Sequence, residues 1–171
     1  MFLYQYSQTV EEDCSMEETF EKAIDEFKRV DHLFYVSLKY TRTVDVIKSV
    51  MERMISCIDF CMESLLKYSS EKGKLKEELP KNPGLKSEVV KRVYSHDPEI
   101  VEIVNFYLKM RKLVRAEYTK REEFRRHVTM IAVIDKGEIV EVSIDVLKEY
   151  YDKTKNFMGL VKRIIREEEY A

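Results

Sequence analysis

The chain has 171 residues, 44 % of them hydrophobic, enough for a sizeable core, and residues 1–171 are expected to form a single helical-bundle domain. Charged residues make up 36 % yet cancel to a net charge of −2, which excludes a polycation built to coat nucleic acid. Only 4 glycines and 3 prolines are present, which disfavours a loop-rich all-β fold and a glycine-rich phosphate loop.

In chain order, residues 1–14 read as an N-terminal arm or a short strand, with Phe2, Tyr4 and Tyr6 alternating to one side. The first residues carry neither a basic segment nor a long apolar run, so no secretory signal is expected. Ser15-Met16-Glu17-Glu18 is a capping box and predicts a helix start. Met16, Phe20, Ala23, Phe27, Val30, Phe34 and Leu38 then recur every three or four residues, one apolar face of a long helix. Tyr40-Thr41-Arg42-Thr43 is the expected break, with Thr43 capping a second helix to about Tyr68 whose stripe is Ile47, Met51, Met54, Ile58, Cys61, Met62 and Leu65. Two such helices with a short connection are expected to pack as an antiparallel hairpin.

Residues 69–97 read as a connecting loop with a short helix near Ser87–Tyr94, since Gly73, Pro80, Pro83 and Gly84 fall there among many charges. Asp97-Pro98 then gives an N-cap followed by proline at the first helical position. The apolar positions from Ile100 to Met110 wrap much of the circumference, which predicts that this third helix is the most buried. Residues 127–144 change to β-branched runs around Asp135-Lys136-Gly137, a β-hairpin. A lone hairpin is marginal in water, and Phe2–Tyr6 is the candidate third strand. A last helix begins near Asp145, with Leu147, Tyr150, Tyr151, Phe157, Met158, Val161, Ile164 and Ile165 on its stripe. The expected fold is mainly α: a four-helix, up-down type bundle with a short β-hairpin inserted before the last helix.

No apolar run approaches the roughly 20 residues that span a bilayer, so no membrane partner is expected. Three cysteines without paired zinc-type spacing suit a reducing, cytoplasmic setting, and the Lys/Glu abundance resembles that of thermophile chains. Cys57 and Cys61 stand one helical turn apart but lack further ligands, so they read as core residues and no metal site is assigned. No cofactor is called for. His32 reads as a surface or boundary residue and His96 as part of the entry to the third helix.

Chemistry concentrates in residues 109–126, where eight cationic side chains face three acids, whereas residues 1–31 hold nine acids against three bases. Such a layout suits local phosphate binding, head-to-tail self-association, or internal pairing of a solvated helix end. His127 closes the basic stretch and is the histidine placed among arginines. An imidazole there can take a proton from a ribose 2′-hydroxyl or give one to a leaving oxygen, while guanidinium groups hold the phosphate, with no metal needed. Arg121-Glu122-Glu123-Phe124-Arg125-Arg126-His127, an arginine and five residues before a histidine, resembles the motif of the HEPN domain family. The resemblance implies a helical bundle, homodimers with paired motifs, RNA or nucleotide binding, and metal-independent RNase activity in many members. It places Arg121 and His127 as catalytic residues. Arg115, Lys120, Arg125 and Arg126 are the accompanying candidates for phosphate binding. Glu122 departs from the small polar residue usual after the motif arginine, and the motif needs a turn between Arg121 and His127. The competing expectation is a non-enzymatic, dimeric helical interaction module.

Overall fold

A computed structural model describes residues 14–167, and the predicted Phe2–Tyr6 strand lies outside them. Helix α1 (Met16–His32) starts where the capping box predicts, with the Ser15 hydroxyl accepting from the Glu18 N–H at 3.1 Å. The helical run then continues through a π-helical segment, Leu33–Ser37, and a final turn, α2 (Leu38–Tyr40). In the π segment the Leu38 N–H reaches back five residues to the Leu33 carbonyl. Helix α3 (Val44–Glu71) is capped by the Thr43 hydroxyl, which accepts from Val46 N–H at 3.3 Å.

Helix α4 (Pro83–Val93) starts earlier than predicted, because the Asn82 side chain caps Gly84 and Leu85 and Pro83 sits pre-organised in the first turn. Helix α5 (Pro98–Arg115) begins at the Asp97 cap, as its sequence predicts. Helix α6 (Ile144–Ile165) begins at Ser143, whose hydroxyl accepts from Val146 N–H at 3.2 Å. The described chain is therefore mainly helical, with five helices of more than one or two turns and a small antiparallel sheet before the last.

The predicted hairpin is present as two strands of that sheet, and a third strand extends it. The sheet has three strands in the order β1 (Glu117–Arg121), β2 (Thr129–Ile134) and β3 (Glu138–Ser143). The third strand comes from the segment just after α5. Met130, Ala132, Ile134 and Val142 form its buried inner face. The turn between β2 and β3 needs left-handed backbone at Asp135 (φ 49°) and Gly137 (φ 92°), which explains the Asp-x-Gly sequence.

The core centres on α3, which buries thirteen residues and packs against α1, α4, α5 and α6. This corrects the expectation that α5 would be the most buried helix. The broad apolar arc of α5 exists because it faces several neighbours: α3 and α4, strand β2, and α6 through the edge-to-face pair Phe106–Tyr150. Cys57 and Cys61 lie fully buried on α3, and burial holds the Cys61 thiol well above its ordinary pKa. Among the described residues no helix is long and apolar enough to cross a membrane.

Candidate nucleic-acid interface

The predicted site residues fall on the end of α5, on β1 and on the β1–β2 loop, residues 122–128. The segment from Arg121 to His127 is not helical. It leaves a strand and turns twice, with Arg125 N–H on the Glu122 carbonyl and Val128 N–H on the Arg125 carbonyl, both at 3.1 Å. The turn the motif needs between its arginine and its histidine is therefore present. Val128 is completely buried and anchors the loop's return to β2.

Two contacts pin the loop to the start of α3. The Phe124 N–H donates to the Arg42 carbonyl at 2.7 Å. A Glu123 carboxylate oxygen accepts from the Val44 N–H at 3.1 Å, one of the first-turn donors a helix leaves unsatisfied. Held in this way, Glu122 (φ 52°) and Phe124 (φ 64°) adopt left-handed backbone, a conformation unusual for a bulky side chain. The Phe124 ring is 75 % exposed, and Tyr40, two residues before Arg42, is 81 % exposed. Arg125, Arg126 and His127 follow Phe124 and are all exposed. Among the described residues, no carboxylate forms an ion pair with Arg125 or Arg126.

The other candidates are engaged or lie elsewhere. Strand register sets Arg121 opposite Thr129, and its guanidinium meets Glu141 of β3 at 2.9 Å across the outer face of the sheet. This hydrogen bond lowers the Glu141 pKa and raises that of Arg121. Lys120 contacts Asp45 at 3.5 Å and Glu123 at 3.6 Å, and Asp45 is the main cause of its raised pKa. Arg115 closes α5, exposed, in line with Arg111 and Tyr107 at four-residue spacing. His127 stands beyond the end of the strand ladder, its carbonyl accepting from the Thr129 hydroxyl at 2.9 Å. His32 and His96 are both exposed, and His96 lies beside the Tyr94 ring.

Arg125, Arg126 and His127 are thus consecutive exposed residues of one loop, while Arg121 and Lys120 are engaged with carboxylates. Sequence reasoning missed Phe124 and Glu123. The available signal for Phe124 was an aromatic ring inside a charged run with no periodic apolar partner to bury it. Among the described residues, no group of three or more His, Cys, Asp or Glu side chains is arranged to hold a metal ion. Comparison with known protein families, with curated proteins and with solved structures gives no match.

Proposed function

We propose that the protein binds single-stranded RNA or nucleotides through the β1–β2 loop, as a HEPN-like protein on a four-helix framework of α1, α3, α5 and α6. The observation that carries this reading is Phe124, exposed to 75 % and held in left-handed backbone beside Arg125 and Arg126. An exposed ring next to guanidinium groups suits a base stacked on the ring and a phosphate held by the arginines. Stacking tolerates any base, so sequence selectivity would be weak. Holding the loop in a strained shape before ligand arrives lowers the ordering cost of binding.

In the RNase form of this proposal, His127 takes the proton of a 2′-hydroxyl as that oxygen attacks the adjacent phosphorus. It then returns the proton to the departing 5′-oxygen. Arg125 and Arg126, rather than Arg121, neutralise the phosphate, because Glu141 already engages Arg121.

The test is fluorescence anisotropy with a labelled oligouridylate, together with a cleavage assay. Phe124→Ala is expected to weaken binding by ~1–3 kcal/mol. Arg125→Ala and Arg126→Ala should each reduce the slope of log affinity against log salt by about 0.7. His127→Ala should abolish cleavage while leaving binding near wild type. Unchanged binding in Phe124→Ala and in both arginine variants would overturn the reading.

A second reading, the non-enzymatic dimeric module, has one observation in its favour. Val133 and Ile139 face each other across β2 and β3 on the outer side of the sheet, 46 % and 66 % exposed. A dimer mass in solution that Ile139→Lys reduces to a monomer would support it.

A further inference from the structure

Two exposed rings from distant parts of the chain are tied together by one backbone hydrogen bond. Phe124 donates its N–H to the Arg42 carbonyl at 2.7 Å, and Tyr40 lies two residues before Arg42, at the end of α2. Two residues of chain span at most about 7 Å, so this bond keeps the Tyr40 backbone beside the loop tip. Leu38 is turned into the core, and two helical steps beyond it Tyr40 falls on the opposite, outer side. Tyr40 is 81 % exposed, more than Phe124. Tyr35, half-exposed, packs edge-on against Phe34 and Tyr151. Among the described residues Tyr40 and Phe124 meet no other ring. Single exposed apolar side chains are ordinary, but two large rings brought to one place form a patch.

Each ring has cations next to it in the chain. Lys39 precedes Tyr40 and is exposed, and Arg125 and Arg126 follow Phe124. Among the described residues no carboxylate forms an ion pair with any of these three. The acids of the neighbourhood are directed elsewhere. Asp45 meets Lys120, and Glu123 meets Lys120 and the Val44 N–H. Glu141 and, to a lesser degree, Glu122 raise the pKa of Arg121. A ring and a cation, followed by a second ring and cation, match the repeat of an unpaired strand, which alternates flat bases with phosphates.

We infer that Tyr40 is a second stacking platform beside Phe124, so that the site takes a run of two or more unpaired ribonucleotides rather than a single nucleotide. The inference rests on the RNA reading of the β1–β2 loop and narrows its ligand. A mononucleotide fills one ring and leaves the other bare, whereas a strand covers both and places a phosphate near Lys39.

Competition of UMP and of the dinucleotide UpU against a labelled oligouridylate tests it on the full chain. UpU is expected to bind about fivefold or more tightly than UMP, the worth of one further stacked base. Tyr40→Ala should weaken oligouridylate binding by about fivefold or more and bring the UpU and UMP affinities together. Tyr40→Phe should keep both, because the ring face and not the hydroxyl does the stacking. Tyr40→Leu, apolar but without a ring, should behave as Tyr40→Ala does, which separates stacking from any loss of fold. Lys39→Ala should lower the slope of log affinity against log salt by about 0.7. UpU binding no tighter than UMP overturns the inference. So does a Tyr40→Ala protein that binds oligouridylate as the wild type does while Phe124→Ala is weakened; in both cases the loop reading stands. Absence of oligouridylate binding, or Phe124→Ala without effect on it, overturns the loop reading and this inference together.

Discussion

At the scale of single residues, the ion pairs of the basic segment decide which cations remain available to a ligand. Arg121 is the arginine that the sequence resemblance singles out, but a cross-strand register that no sequence pattern encodes brings Glu141 within 2.9 Å of it. Both side chains are about half exposed, so the pair contributes little to stability. Its signature is instead a titration. The Glu141 carboxyl has a folded pKa below its ordinary value, so its share of stability is present above that ordinary value. The share is lost as pH falls through the lowered folded pKa. Arg121→Ala is expected to return the Glu141 carbon-13 shift titration to the ordinary carboxylate range, with the melting temperatures of the two proteins converging at acid pH. An identical Glu141 titration in the variant would show that Arg121 does not hold it. The arginine-to-histidine spacing was legible in the sequence. The engagement of Arg121 was not, because the partner lies twenty residues away on another strand.

At the scale of elements, local signals marked the long helices and tertiary pairing made the rest. Ser15, Thr43, Asp97 and the apolar stripes of α1, α3, α5 and α6 were all readable, because caps and helical periodicity are properties of short windows. Strand β1 was not readable. Glu117-Tyr118-Thr119-Lys120-Arg121 exposes all but Tyr118, so it has no buried alternation and is a strand only because β2 pairs with it. The same dependence ties the loop to a helix. Glu123 supplies an acceptor to the first turn of α3 from 79 residues away. Glu123→Ala is expected to destabilise the protein by ~1 kcal/mol in urea denaturation, the usual worth of a helix cap. It should also weaken oligouridylate binding, because Phe124 loses part of its anchorage. Loss of stability without loss of binding would separate the cap from the interface.

At the scale of the whole molecule, part of the opposite charge of the two chain segments is met by ion pairs within the fold. On α1, Glu26 bridges Arg29 and Arg53 and Glu17 meets Arg166, while on the basic side Lys112 pairs with Asp135 and Lys120 with Asp45. Three of the eight cations of residues 109–126, Lys112, Lys120 and Arg121, meet carboxylates, and Arg125 and Arg126 stay exposed at the loop tip. Mechanical unity comes from α3. Because α1, α4, α5 and α6 all pack against it, a cavity there should be felt everywhere. Met54→Ala, at a fully buried position, is expected to cost ~2–5 kcal/mol in denaturant unfolding. Helical circular dichroism and tyrosine fluorescence should still fall in one coincident transition. Separate transitions would mean that α3 does not couple its neighbours.

The π-helical segment Leu33–Ser37 sets how that coupling is aligned. Each residue of an α-helix advances the chain by about 100°, so a single residue more or fewer rotates everything beyond it by that amount. The wider turn at Leu33–Ser37 takes up the odd residue between two buried positions, Val30 and Leu38. It works as a shim in a clamp: the run before it seats on α3, and the run after it arrives turned so that Leu38 is also inward and Arg42 presents its carbonyl to Phe124. The cost of the adjustment is visible on the outside, where Tyr35 and Val36 are left facing water. The length of the first helical run, counted to the residue, is thereby part of what holds a loop that lies some eighty positions further along the chain.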